Sequence, residues 1–235
     1  MKTNVTTFKF SLIALFVLIS SSAWSATFYS CINTPLTLSG GTPPAGATFS
    51  WDVKKDGVQF AGYPNATAPT AFAEAGSYEV ILNTTTAVET GACPADPVSN
   101  TIIVLPPLTL AIGTPSVPAY CEANGSVTSS VIAATTTGVL PAASPDLGLT
   151  YTYSVSKDGA AGVDGATLGT IDAATGAYTL NTVAPGVYVI TGTVKYSQLG
   201  TNTLLGTGCP VSSTTQTVTV TPKPTTPTVT IAAAP

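Results

Sequence analysis

The chain is 235 residues long, and its 7 Lys, 11 acidic residues and complete lack of His and Arg give a formal net charge of −4. A phosphate backbone or an anionic bilayer needs clustered cations to displace its counterions, so nucleic acid and membrane surfaces are poor candidate partners. The missing His removes the usual base of nucleophilic hydrolysis.

In chain order, residues 1–25 come first. Lys2 and Lys9 precede an apolar run from Leu12 to Ile19, and Ala23 and Ser25 stand where a signal peptidase cuts, which predicts a secretory signal peptide and a mature start near Ala26. The apolar core is too short to span a bilayer and nothing later is longer, so no membrane insertion is expected. Cys31 lacks the flanking residues of a lipid-anchor signal. With the leader removed, five Lys face eleven acids, a charge near −6.

The remaining chain is rich in Thr, Val, Gly, Ala and Pro and has no helical apolar period, which predicts an all-β fold. Residues 26–106 read as a first module. In TFSWDVKKDG (Thr48–Gly57), alternation puts Phe49, Trp51 and Val53 on one inward face, and Lys55-Asp56-Gly57 closes a hairpin turn. AGSYEVIL follows with Tyr78, Val80 and Leu82 inward, then GACP around Cys93 and a closing strand with Ile102 and Val104. Pro106 and Pro107 stop it.

Residues 107–222 repeat this text in order. Leu108 to Ile112 reads as a first strand and AYC surrounds Cys121. TYTYSVSKDG (Thr150–Gly159) then returns the strand and turn, with Tyr151, Tyr153 and Val155 inward. An inserted hairpin, GTIDAATGAYTL, takes its turn chemistry from Asp172 and Gly176. PGVYVITG then places Tyr188, Ile190 and Val194 inward, TGCP holds Cys209, and Val218 and Val220 close the sheet. Landmarks recurring in one order predict two tandem β-sandwich modules. Residues 223–235 begin the same grammar again: Pro222, Pro224 and Pro227 precede a strand-like Thr228, Val229, Thr230 and Ile231.

Four cysteines permit three connectivities. The repeat favours Cys31 with Cys93 and Cys121 with Cys209, pairings that gain about 3 to 5 kcal/mol by chain entropy and leave no thiol for catalysis.

The motifs aromatic-x-Trp51-Asp52-Val53 with Asp56-Gly57, Ala75-Gly76-Ser77-Tyr78-Glu79-Val80, and Thr101-Ile102-Ile103-Val104 resemble the immunoglobulin-like and PKD-like repeats of secreted surface proteins and adhesins of Bacteroidota. The resemblance implies immunoglobulin-like sandwiches in which the Trp strand and the Gly-x-Tyr-x-Val strand are core neighbours. It also implies an extracellular or cell-surface location.

Chemistry is sparse. Asp52, Asp56 and Asp158 flank the repeated strand, but no catalytic pair is indicated. Asp158, Asp164 and Asp172 are the best calcium candidates, yet their spacing suits Asx turns better, so no cofactor is expected. Outside the core stripes, Phe60, Tyr63 and Tyr196 are the aromatics available for a glycan.

The expectation is therefore a non-enzymatic extracellular structural or adhesive surface protein whose partners are other proteins, its own copies included. Module two has a leading strand that module one lacks, while Thr228–Ile231 offers a spare one, which suggests filament assembly by head-to-tail strand donation. A carbohydrate-binding module and the N-terminal slice of a longer adhesin are the alternatives.

Overall fold

A computed structural model describes residues 25–43, 45–86, 95–122, 127–138 and 146–231. The leader expected over residues 1–25 therefore lies almost wholly outside the described residues, and so does Cys93. The chain divides into two compact units, Met1–Val104 and Leu105–Pro235. Both are all-β, of the immunoglobulin-like sandwich class. No helix among the described residues is long and apolar enough to cross a membrane.

In the first unit, β1 (Thr27–Cys31), β2 (Ala47–Lys55), β3 (Val58–Gln59), β4 (Gly76–Thr86) and β5 (Val98–Leu105) form a sheet in the order β1-β5-β4-β2-β3. Antiparallel register sets Trp51 opposite Leu82 and Tyr78 opposite Ile102. Alternation then buries Trp51, Val53, Tyr78, Val80, Ile102 and Val104 on one face, as the sequence predicts. The layer over that face contains no named strand. It is made of two irregular runs joined by Asn33 N–H to Phe72 O at 2.8 Å and Leu36 N–H to Thr70 O at 2.7 Å. Phe72 drops from it onto Tyr78, ring on ring at 3.9 Å.

The second unit carries β6 (Thr109–Ile112), β7 (Ala119–Cys121), β8 (Ser130–Ile132), β9 (Ala134–Thr137), β10 (Leu147–Lys157) and β11 (Val163–Asp164). A 3-10 turn (Gly165–Thr167) leads to β12 (Gly169–Ile171), β13 (Tyr178–Leu180), β14 (Gly186–Gln198), the short β15 (Thr203–Leu204) and β16 (Val211–Thr221). One layer runs β11-β10-β14-β16-β7, with β7 parallel to β16. The facing layer is made of β12-β13-β8 and the antiparallel pair β6-β9. The inserted hairpin is thus β12–β13, closed by Asp172 N–H to Ala177 O at 2.9 Å.

The duplication holds atom by atom. Asp56 and Asp158 both sit at positive φ, 50° and 51°, each followed by a Gly at φ 82° or 78°, the geometry of a primed hairpin turn. Asp56 Oδ1 accepts from Ser77 N–H at 2.9 Å, and Asp158 Oδ1 from Val187 N–H at 2.8 Å. Tyr78 donates its hydroxyl to Glu74 O and Tyr188 donates to Ala184 O. Lys55 Nζ lies 5.9 Å from the centre of the Tyr78 ring, and Lys157 Nζ 5.8 Å from that of Tyr188.

Two expectations are corrected. Cys31 and Cys209 are each disulfide-bonded, while Cys121 is an exposed free thiol. The expected Cys121–Cys209 pairing is therefore not formed, and the expected partner of Cys31, Cys93, lies outside the described residues. Tyr196 is no surface aromatic either. β14 is long enough for the inward alternation of Tyr188, Ile190 and Val194 to reach it, so it is 1 % exposed and donates to Pro106 O at 3.0 Å.

Candidate functional site: an open strand seat in the first unit

Equivalent turns fix the alignment of the two sheets. With Asp56 on Asp158 and Tyr78 on Tyr188, Trp51 corresponds to Tyr153, Val80 to Ile190, Leu82 to Gly192, Ile102 to Val218 and Asn100 to Gln216. In the second unit β6 lies over these positions. It packs against β14 and β16, and Leu110 and Ile112 are buried. Its main chain pairs with β9, Leu110 opposite Thr136, and Gln216 Nε2 donates to Ile112 O at 3.2 Å.

In the first unit those same positions line an open cleft of about 250 Å³. Trp51, Val80, Leu82, Asn100 and Ile102 form its floor, with Val98 at the end, and Thr37, Leu38 and Ser39 form one wall. The wall takes the place of β9 when Ser39-Gly40 is set on Thr137-Gly138, each a hydroxyl residue followed by a Gly. Thr37 to Ser39 belong to no strand and make no backbone–backbone hydrogen bond among the described residues. Buried backbone groups are almost always paired, and exposed ones are a template for another strand. An apolar floor beside an edge unpaired among the described residues makes this cleft the candidate seat for a strand.

The candidate donor residues lie elsewhere. Thr228 to Ile231 form no strand, and their apolar side chains face water, Val229 at 82 % and Ile231 at 91 % exposure. Their text, Thr-Val-Thr-Ile, shares with the Thr-Leu-Ala-Ile of β6 a Thr at the first position, an aliphatic residue at the second and Ile at the fourth.

The other sequence candidates are occupied by structural work. Asp158 receives Val187 N–H, Asp164 caps the 3-10 turn through Ala166 N–H at 3.0 Å, and Asp172 receives Ala174 N–H and Thr175 Oγ1, bonds that hold its carboxyl below the usual range. No group of three metal-ligating side chains occurs among the described residues. Asp52 accepts from Gln59 Nε2 at 2.6 Å. It shares a broad, shallow depression with Asp96, but Asp96 is exposed and Asp52 only half-buried, so nothing there shields a carboxyl from water as acid catalysis requires. Phe60 and Tyr63 are half-buried and stack at 6.3 Å, and Phe60 also meets Phe72 and Tyr78 edge-on. They belong to the flank of the core rather than to a flat exposed platform. Sequence reading missed the cleft itself, whose signal is the Gly192-to-Leu82 exchange between otherwise parallel strands.

No family model matches the sequence, and no curated protein matches it. Solved structures with a related chain path include three N-terminal domains of the bacteriophage RB49 outer capsid protein Hoc, 12% identical, with a TM-score of 0.47 over 87% of this chain and 69% of that one. Immunoglobulin domains 1–4 of Sidekick-1 are 14% identical with a TM-score of 0.40, covering 84% of this chain, which spans 47% of theirs. Fibronectin(III)-like modules of Clostridium thermocellum CbhA are 13% identical with a TM-score of 0.34, over 85% and 92% of the two chains.

Proposed function

We propose that this chain is a non-enzymatic structural or adhesive protein of the cell surface or extracellular space, whose copies join head to tail by strand donation. The observation that carries the reading is the open seat of the first unit, a cleft with an unpaired edge at the place where the second unit holds its own β6. In the second unit β6 precedes β7 by a short connection. The corresponding stretch before β1 falls in the segment read as a secretory leader, which export would remove.

That Cys31 and Cys209 are each disulfide-bonded suits an oxidising compartment outside the cytosol. Burying two β-branched or aliphatic side chains is worth about 1.5 to 3 kcal/mol each, and main-chain pairing adds to that. Donor and acceptor lie at different places on one chain, so the contact is heterologous and runs on into an open filament wherever the rotation between successive copies does not close into a ring. Deleting Pro227 to Pro235 is expected to abolish polymers of the purified mature protein in negative-stain electron microscopy. Polymers that persist without those residues exclude them as donor.

A further inference from the structure

Resting on the strand-donation reading, we infer the identity, polarity and register of the inserted segment: Thr228–Ile231 of a second copy enters the first unit's cleft antiparallel to Thr37–Ser39, with Val229 in the place of Leu110 and Ile231 in the place of Ile112. Three observations set this register. First, the two segments share Thr at the first position, an aliphatic residue at the second and Ile at the fourth, and burial in β6 alternates so that its second and fourth positions point inward. In the tail those positions are Val229 and Ile231, its two exposed aliphatics.

Second, β6 pairs Thr109 with Thr137, Leu110 with Thr136 and Ala111 with Thr135. Transferred through Ser39-Gly40, this sets Thr228 opposite Ser39, Val229 opposite Leu38 and Thr230 opposite Thr37, where the edge is unpaired.

Third, the floors differ in a compensating way. A Cβ built on Gly192 would lie 3.1 Å from Leu110 Cδ2 and 2.9 Å from the Tyr153 ring, so the second unit uses glycine to make room for leucine. The first unit has Leu82 at that point and the tail offers the smaller Val229. A larger floor meets a smaller knob, as close packing requires. Asn100, in the position of Gln216, places an amide near the carbonyl of Ile231. The tail therefore fits the first unit's seat better than a β6 copy would.

The test uses the full mature chain carrying Val229→Asp and Ile231→Asp, changes confined to exposed positions, so that its own tail cannot donate. A synthetic peptide of residues 225–235 is titrated in. Trp51 lies on the cleft floor and is the sole Trp after the leader, so its emission reports occupancy directly. The expected result is a saturable change in Trp51 emission together with slowed amide exchange at Thr37–Ser39. A peptide with Val229→Leu, or one copying Pro107–Pro115, should bind about tenfold more weakly, the factor that corresponds to roughly 1.4 kcal/mol of overpacking. A peptide with Val229→Asp should not bind.

A peptide that blocks polymerisation of the unsubstituted chain, yet neither changes Trp51 emission nor protects Thr37–Ser39 in the substituted one, overturns the seat while leaving strand donation standing. Equal affinity of the valine and leucine peptides overturns the register. If no peptide binds and polymers survive deletion of the tail, the underlying reading fails with it.

Discussion

Tyr153 and Tyr178 stack at 4.7 Å in the second unit, and their hydroxyls donate to Gly176 O and Gly165 O. Burial pushes both phenols up to about 12 from an ordinary value near 10. The neutral form is thus favoured in the folded state, and the unfolded state is the first to lose its proton. Stability owed to these rings is whole below about pH 10 and falls as pH rises between the unfolded and folded values. Alkaline titration followed by near-ultraviolet absorbance should show a late tyrosinate step that coincides with loss of tertiary signal. Titration of all tyrosines near pH 10 without unfolding would contradict that burial. At this scale the text was largely legible, since Lys-Asp-Gly and Gly-x-Tyr recur as letters and return as the same hydrogen bonds around Asp56 and Asp158. What escaped was set by distance along or across the fold. The inward run of β14 reaches farther than a motif shows, as far as Tyr196, and Cys121 is free although the repeat pairs it with Cys209.

Among the elements, β6 and the tail make an internal control, because they carry nearly the same letters in opposite circumstances. Leu110 is 7 % exposed within a paired strand, so Leu110→Ala should lower the stability of the second unit by about 2 to 4 kcal/mol. Val229 is 82 % exposed, so Val229→Ala should change monomer stability by less than about 0.5 kcal/mol while weakening assembly. Denaturant melts at a concentration too low for polymerisation separate the two effects. The long strands and the inserted hairpin could be read from alternation and turn residues, whereas β8, β9 and the two-residue strands could not. That the first module lacks a leading strand could be read from the repeat, but the residues lining the cleft could not, because they belong to strands and a run far apart in the chain.

For the whole molecule, charge sets the conditions of association. The leaderless chain carries five Lys against eleven acids, and the seat is lined by apolar and amide groups, with no ion pair to be made there. Like-charged copies repel at low ionic strength, so the polymer fraction should rise with salt over a range in which screening reaches about 10 Å, at 0.1 M. Light scattering across a salt series would show it, and assembly that weakens with salt would instead point to ion pairs between copies.

Joined as proposed, through the first unit's cleft and the Thr228–Ile231 segment, copies would form a row with two unlike extremities, one with its cleft vacant and one with that segment reaching out. Such a row would have a built-in direction, and a short decoy of that segment's sequence, lodged in the vacant extremity, would stop its growth on that side alone.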